Sequence, residues 1–390
     1  MHSADRGGTL HAGRGGIQER CWSPEDLDRL IALLREDGRS VIGPTLRDDV
    51  IVVDEIASTA DLPAGWTDEH APGRYRLSRR DDAAFFGFGV GPASYKPFFL
   101  PARQRLLTAR RVDGTMVIDE EAPATRPLAL LGAHPCEIAA ILVQDRVLGA
   151  SAFADPHYAA RRRDVFVVAA ECGEARGTCF CASMGTGPGV QDGFDLAMME
   201  LLEGGHRFVV RAGSAAGRAV LERVGGAPAS AADLAAAAAR LAHARATMGR
   251  SLDTAGLADA LRDNPSHPRW DDVAARCLGC ANCTLVCPTC FCTTVEDVTD
   301  LTGTVAERVR RWDSCFTLEF SHVFGGPVRR SPASRYRQWL THKLSSWQSQ
   351  YGVSGCVGCG RCITWCPAGI DITAEAAAIQ AARPRAEGTS

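Results

Sequence analysis

The sequence predicts an α+β protein, with an N-terminal α/β domain followed by a second, mainly helical domain. Between Leu128 and Gly213, short apolar runs alternate with amphipathic segments, which is typical of strands and helices around a partly parallel sheet. In the last third of the chain, two cysteine-rich segments each follow a segment with helical periodicity. We expect residues 21–250 and 251–382 to form the two domains, and residues 1–20 and 383–390 to be loose tails.

The N-terminal domain begins with a helix signal. Ser23 and Asp26 form a capping-box pattern, and the apolar stripe after them ends before Gly38. From Val50 to Leu100, apolar runs broken by Gly and Pro predict strands and loops. The alternating part then predicts, in order, a strand at Leu128–Leu131, a helix at Glu137–Leu148, a strand at Val165–Ala170, a helix at Phe194–Glu203, a strand at Phe208–Arg211, and helices at Arg218–Val224 and Ala231–Met248.

The second domain is predicted to be helical around its cysteines. Helical periodicity favours helices at Trp270–Arg276, Tyr336–Trp347 and Ile372–Ala381. Between the two cysteine-rich segments, polar and apolar residues alternate around Thr293–Val309, which predicts a small sheet.

Composition excludes several classes of protein. The chain has 390 residues and a formal net charge of −3, so no basic face indicates a nucleic-acid partner. No apolar run has the length of a membrane span, and the N-terminal segment lacks the apolar core of a secretory signal. We therefore expect a cytoplasmic protein, in which 16 cysteines favour metal binding over disulfides.

Two complete cysteine motifs carry the strongest signal. Cys277 and Cys356 each begin the pattern C-x2-C-x2-C-x3-C-P. A loop of this spacing presents three thiolates to three irons of one cubane, while the fourth cysteine binds the other cluster in two-cluster ferredoxins. The motifs predict two [4Fe–4S] clusters in an enlarged α-helical ferredoxin-like domain. The predicted ligand sets are Cys277, Cys280, Cys283 and Cys366 for cluster 1, and Cys356, Cys359, Cys362 and Cys287 for cluster 2.

The alternative for these motifs is a zinc site or a group of core thiols. Zinc ribbons use separated C-x2-C pairs with four ligands for each ion, which the present spacing does not match. Two complete copies of the pattern favour iron–sulfur clusters, whose chemistry is electron transfer.

Four further cysteines lie in the α/β half. Two of them follow predicted strands, at the sheet edge where open α/β sheets bind their ligands. If the four thiols converge there, they could bind a third iron–sulfur cluster. The other interpretation is two buried structural thiol pairs, and it is supported by the C-x-C spacing, which ferredoxins do not use. These residues are Cys136, Cys172, Cys179 and Cys181.

The remaining cysteines carry weaker signals. Cys290, Cys292 and Cys315 lie close to the first motif in sequence, and we interpret them as buried thiols packed around it, with a ligand role as the alternative. Cys21 is interpreted as incidental. No catalytic triad, metalloprotease motif or carboxylate pair is recognisable, so no catalytic residues are predicted.

Four basic side chains are candidates for offsetting the negative charge of reduced clusters. Arg361 is preferred because it lies inside the second motif; the others are Lys96, His342 and Lys343.

With these motifs identified, the chain resembles the 4Fe–4S dicluster β subunits of soluble cytoplasmic NiFe hydrogenases, the sulfhydrogenases, and the corresponding iron–sulfur subunit of anaerobic sulfite reductase. The resemblance spans about residues 54–379. It rests on DLPAGWTDEHAPGRYRL (Asp61–Leu77), HPCEIAAI (His134–Ile141), DPHYAARR (Asp155–Arg162), TCFCASMGTGP (Thr178–Pro188), CLGCANCTLVCPTCFC (Cys277–Cys292), WDSCF (Trp312–Phe316) and GCVGCGRCITWCP (Gly355–Pro367).

The resemblance implies an electron-transfer subunit that lies between two others. One partner would bind FAD and NAD(P)H, and the other would carry the catalytic NiFe or sirohaem centre with its small subunit. The hydrogenase assignment is preferred to sulfite reduction. The rival hypothesis is a self-contained flavin-dependent iron–sulfur oxidoreductase, which would bind flavin in the isolated chain.

Overall fold

The computed structural model describes residues 19–123, 126–150 and 153–381. The predicted tails fall outside this part of the chain, except that residues 19 and 20 are described and Arg20 begins the first strand. The fold is a mixture of helices and sheets, as the sequence predicts.

An eight-stranded sheet, here called the large sheet, organises the N-terminal half. Four neighbouring strands run parallel, and the remaining pairings are antiparallel, so the predicted partly parallel sheet is confirmed. In spatial order its strands are Ala227–Pro228, Arg20–Trp22, Arg207–Ala212, Leu196–Leu201, Phe166–Ala170, Leu128–Ala133, Ser40–Arg47 and Val50–Glu55.

Helices cover both faces of the large sheet. The predicted first helix is confirmed at Pro24–Glu36, where the Ser23–Asp26 capping box satisfies its first amides, and its apolar stripe packs on one face. Ala215–Val224 lies beside it. The other helices of this half are Lys96–Phe99, Pro135–Gln144 with a π-helical turn at Asp145–Gly149, Pro156–Arg162 and Ala231–Ala246, with a 3-10 turn at Thr59–Asp61.

One predicted element is wrong. The segment Phe194–Glu203, predicted as a helix, contains the strand Leu196–Leu201. Its Leu, Ala, Met and Glu residues are good helix formers, but they are buried between a parallel neighbour at Phe166–Ala170 and an antiparallel one at Arg207–Ala212. Hydrogen bonding and burial on both sides outweigh the helical propensity of the segment.

The predicted small sheet around residues 293–309 is also present. Strands Thr293–Thr299 and Val305–Trp312 pair with each other, and the second pairs with Arg103–Val112, which in turn pairs with Thr115–Glu120. This four-stranded sheet therefore joins segments from both sides of the boundary predicted at residue 250. Two further hairpins pair Trp66–Ala71 with Arg74–Arg79, and His322–Val323 with Gly326–Pro327.

The C-terminal part is otherwise helical, as predicted, and packs around an apolar core to which Phe180 of the N-terminal half also contributes. Pro332–Thr341, a π-helical turn at His342–Ser346 and Trp347–Tyr351 follow one another without a break. The other helices are Leu257–Asp263, Arg269–Ala274, Asn282–Leu285, Arg361–Thr364 and Ile372–Ala381. In the part of the chain that the structure describes, no helix combines the length and apolarity needed to cross a bilayer.

Candidate metal centres

The two cysteine motifs fold into the same local structure. In each, the residue before the second cysteine is left-handed, with φ of 64° at Gly279 and 66° at Gly358. The residue after the second cysteine is also left-handed, with φ of 66° at Ala281 and 76° at Gly360. The sequence repeat is therefore a structural repeat.

Each loop also directs backbone amides toward sulfur. The N–H of Gly279 donates to Cys277 Sγ, and the N–H of Gly358 donates to Cys356 Sγ, both at 3.4 Å. Hydrogen bonds of this kind stabilise a negatively charged thiolate. A short helix then carries the third cysteine of each motif, at Asn282–Leu285 and at Arg361–Thr364.

The four predicted ligands of cluster 1 line one cavity. Cys277, Cys280, Cys283 and Cys366 all lie at its wall, and Cys362 of the second motif also reaches it. Burial raises the pKa of the Cys283 thiol well above its usual value, and the adjacent thiols of Cys277, Cys366 and Cys280 raise it further. The fourth cysteine of the second motif thus lies with the first three of the first motif.

The predicted ligands of cluster 2 are also neighbours. Burial raises the pKa of the Cys362 thiol well above its usual value, and the thiols of Cys356, Cys359 and Cys287 add to the effect. Cys287, the fourth cysteine of the first motif, therefore lies with the second motif. This grouping supports the predicted exchange of fourth ligands, and the ligand sets themselves remain predictions.

Lys343 donates directly to the sulfur of a motif cysteine. Its buried Nζ donates to Cys287 Sγ at 3.1 Å, to Thr289 Oγ1 at 3.2 Å and to the Gly355 carbonyl at 3.4 Å. Burial alone would lower the pKa of Lys343, but the thiol charges of Cys287 and its neighbours raise it well above its usual value. A fixed positive charge is thus available beside the second motif.

Arg361, preferred from sequence for that role, is paired mainly with a carboxylate. Its Nη2 donates to Glu137 Oε1 at 2.6 Å and to the Ala93 carbonyl at 2.9 Å, and its Nε donates to the Gly91 carbonyl at 2.8 Å. Both members of the ion pair are buried. Arg361 thus ties the second motif to the α/β half. Its guanidinium also lies beside the Cys359 thiol, where it opposes the rise in pKa that burial causes.

The other two basic candidates, Lys96 and His342, make no hydrogen bond to a motif sulfur within the ranges that the structure describes. Lys96 Nζ donates to the carbonyls of Leu285 at 3.3 Å and Cys287 at 3.0 Å, and lies 3.8 Å from the centre of the Trp312 ring. His342 packs against Trp347 with ring centres 4.9 Å apart.

The second motif packs tightly against the segment Thr178–Cys181. The Phe180 N–H donates to the Gly358 carbonyl at 2.9 Å, and the hydroxyls of Thr178 and Thr364 are 2.8 Å apart. A Cβ at Gly360 would lie 2.4 Å from the Thr178 carbonyl oxygen, so no larger residue fits there without displacement. No sequence pattern indicates this long-range contact.

The four additional cysteines of the α/β half converge. Cys136 and Cys172 follow neighbouring parallel strands, and they line one cavity together with Cys179 and Cys181. Cys359 of the second motif also lines this cavity.

Cys290, Cys292 and Cys315 lie elsewhere. They line a separate pocket, with Lys343 and other residues. Cys315 is buried, whereas Cys290 and Cys292 are half-buried. A hydrogen bond with Cys315 lowers the pKa of the Cys292 thiol to about 7. Cys21 lies in a strand near the edge of the large sheet.

All 16 cysteines are free thiols. Among the described residues, no three His, Cys, Asp or Glu side chains stand close enough together to hold a single metal ion. The thiols of each cavity stand around its wall instead of meeting at one point. A cubane is bound by thiols arranged in this way, because each thiolate binds a different iron. The donor chemistry and the amide hydrogen bonds to sulfur fit such a group.

Comparison with known proteins agrees with this geometry. Residues 276–370 match the family model of a 4Fe–4S dicluster domain. The sulfhydrogenase 2 subunit beta of Pyrococcus furiosus is 34% identical over 284 residues, which cover 71% of the present chain and 79% of the relative. The chain belongs to the sulfhydrogenase beta subunit family.

Membership of this family makes the chain an iron–sulfur, electron-transfer protein with two [4Fe–4S] clusters. The match to the dicluster domain includes all eight motif cysteines, from Cys277 to Cys366. No solved structure matches the chain.

Proposed function

We propose that the chain is the iron–sulfur subunit of a multi-subunit cytoplasmic oxidoreductase. It would relay electrons between a reductase subunit that binds FAD and NAD(P) and a catalytic metal subunit with its own small subunit. The name of the relative favours a hydrogenase as the catalytic partner, which the family resemblance implies is a NiFe enzyme, and a sirohaem sulfite reductase is the second candidate. The interlocked grouping of the motif thiols is the observation that carries the proposal.

The proposed ligands follow that grouping. Cluster 1 would be held by Cys277, Cys280, Cys283 and Cys366, and cluster 2 by Cys356, Cys359, Cys362 and Cys287. Since Cys362 also lines the cavity of the first set, the two sites share a wall. Shared walls suit electron transfer, because they bring two redox groups close together without solvent between them.

The residues around the clusters have three tasks. The thiols hold the irons, and a [4Fe–4S] cluster supplies reversible one-electron transfer when bound. Lys343 and the loop amides stabilise negative charge at sulfur. The aromatic side chains of Phe316, Tyr336 and Trp339 form much of the apolar wall of the first cavity and limit access of water.

The two sites differ in exposure. In the first motif, Cys280 is exposed, and Leu278, two residues before it, is 71% exposed. In the second motif, Cys356 and Cys359 are buried. We therefore assign the surface around the first motif as the place where electrons pass to or from a partner subunit. An apolar residue exposed at this position is consistent with a protein contact.

Metal analysis of the anaerobically purified chain tests the cluster assignment. Two clusters predict at least about eight irons per chain, with equal sulfide. A value near four, or zinc in place of iron, would contradict it. After dithionite reduction, we expect paramagnetic signals at low temperature, and colourless material without them would refute the relay function.

Purification of the native complex tests the partners. When a tagged form of the chain is purified from the organism that produces it, one subunit that contains flavin and another that contains nickel or sirohaem should co-purify with it. Nickel would identify the hydrogenase, and sirohaem would identify the sulfite reductase. If the isolated chain instead binds flavin and turns over NAD(P)H by itself, the self-contained oxidoreductase would replace the present proposal.

A further inference from the structure

We propose that the cavity at the carboxyl edge of the large sheet binds a third [4Fe–4S] cluster through Cys136, Cys172, Cys179 and Cys181. The proposal deepens the electron-transfer function proposed above and rests on it. Four observations support it: the convergence of the thiols, the size of the cavity, the buried histidine at its wall and its place beside the second motif.

The fold brings the four thiols together from three separate segments. Cys136 lies in the first turn of the helix Pro135–Gln144, after the strand Leu128–Ala133, and Cys172 follows the adjacent parallel strand Phe166–Ala170. Cys179 and Cys181 are supplied by the loop that packs on the second motif. Ligands of open α/β sheets bind at this edge because the parallel strands all end there.

The cavity matches the first cluster site in size. The space between its side chains, including the open solvent at its mouth, is about 390 Å³, against about 430 Å³ for the corresponding space at the first thiol set. Gly187 packs against Cys181, because a Cβ there would lie 2.8 Å from Cys181 Sγ, so no larger residue fits beside this thiol without displacement. Apolar side chains such as Phe88, Val90 and Met248 complete the wall around the thiols and would shield a bound group from water.

A buried histidine at the wall has a ring nitrogen available to a bound group. His134 lines the cavity, is 4% exposed and places Nδ1 at 3.3 Å from Cys172 Sγ. Its Nε2 has no hydrogen-bond partner in the described part of the chain, and a buried ring nitrogen of this kind normally has one. Arg176 also lines the cavity, but its charge is balanced by Asp68, 2.7 Å from its Nε, and by Glu174, which lines the cavity as well.

The site adjoins the second motif directly. Cys359 lines this cavity, while Cys362, three residues later on the same loop, lines the first. A Cβ at Gly358 would lie 2.7 Å from the backbone nitrogen of Cys181, so the two loops are in contact. The three cluster sites therefore form a row, with the site of cluster 2 in the middle. Each transfer between neighbouring clusters would move one electron and make or break no bond.

The competing interpretation is that the four cysteines form structural thiol pairs without metal. It predicts the same burial but no iron, and it leaves the hydrogen-bonding capacity of His134 Nε2 unused. Metal content separates the two interpretations.

Iron and acid-labile sulfide in the anaerobically reconstituted full chain give the first test. We expect about twelve irons per chain for three clusters. About eight would overturn the third site and leave the proposed function intact. About four or fewer would contradict both, so the two failures are distinguishable.

Variants then locate the third cluster. The double substitution Cys179→Ser with Cys181→Ser should remove about four irons and retain the spectra of two clusters. Cys172→Ser should have the same effect, which guards against misfolding of one variant. Cys21→Ser is the matched control and should retain about twelve irons, since Cys21 lies on a different part of the sheet.

A different result would place the iron elsewhere. If the double variant kept all its iron and Cys315→Ser lost about four, the third cluster would belong to the pocket of Cys290, Cys292 and Cys315, and the proposed site would be wrong. Thermal unfolding of each variant checks that the remaining fold is intact.

Discussion

The two cysteine motifs have the same spacing and the same backbone, but their surroundings differ. The first lies at the surface, with Cys280 exposed. The second is enclosed between the helix Pro135–Gln144 and the segment Thr178–Cys181, and is held by a buried ion pair, a threonine pair and two glycine contacts. The motif thus determines how thiols are presented, while neighbouring segments determine whether the site meets solvent or other redox groups.

Substitution of equivalent cysteines should give the largest measured difference between the two motifs. Cys280→Ala should remove about four irons and leave the second cluster signal unchanged. Cys359→Ala should remove the second signal and also lower the melting temperature further, because it opens a buried site. Iron analysis, low-temperature paramagnetic spectra and thermal unfolding check this. Equal melting temperatures for the two variants would contradict the assigned difference in burial.

The ion pair of the second motif should give the next largest effect. Arg361→Met leaves Glu137 buried without a partner and should cost about 3–5 kcal/mol of unfolding free energy. The equivalent residue of the first motif is Asn282, and Asn282→Ala should cost no more than about 0.5 kcal/mol. Urea titration under anaerobic conditions measures both.

A rescue variant sharpens that test. Arg361→Met combined with Glu137→Gln removes the unpaired charge and should recover part of the lost stability. If the double variant were as unstable as Arg361→Met alone, the charge pair would not be the source of the effect. Iron content should stay unchanged in Arg361→Met, in Asn282→Ala and in the double variant, since none of the substituted residues is a proposed cluster ligand.

The matched glycines separate backbone strain from crowding. Gly279 and Gly358 have nearly equal φ, 64° and 66°, but a Cβ at Gly279 meets nothing within 4 Å whereas one at Gly358 approaches backbone atoms at 2.7 Å. Gly279→Ala should cost about 1–2 kcal/mol from the left-handed conformation. Gly358→Ala should cost about 1–3 kcal/mol more. If urea titrations gave the same loss of unfolding free energy for both variants, the loop around Gly358 would not be in contact with Cys181.

The threonine pair should give the smallest effect. Thr364→Val leaves the buried hydroxyl of Thr178 without its side-chain partner and should cost about 1 kcal/mol. The equivalent residue of the first motif, Leu285, is 43% exposed, and Leu285→Val should change stability by less than about 0.5 kcal/mol. A neutral Thr364→Val would show that the hydroxyl contact adds nothing to the enclosure.

Several features can be predicted because their causes are local. The first helix follows from the Ser23–Asp26 capping box and one apolar stripe. For Leu196–Leu201 the composition favours a helix, and only the neighbours in the sheet make the segment a strand. In the same way, a position inside the motif favours Arg361 over Lys343 as the cation for the clusters, whereas its partner Glu137 is 224 residues away in sequence.

By itself, the sequence determined the thiol spacing, and through it the loop geometry and the expectation of two clusters, because these depend on residues a few positions apart. Only the tertiary structure decided which motif is buried, which lysine donates to a motif sulfur, and that four scattered cysteines line one cavity beside the second motif. The physical reason is that burial, charge pairing and cavity shape arise from contacts between segments far apart in the chain, and these leave no periodic trace in one sequence.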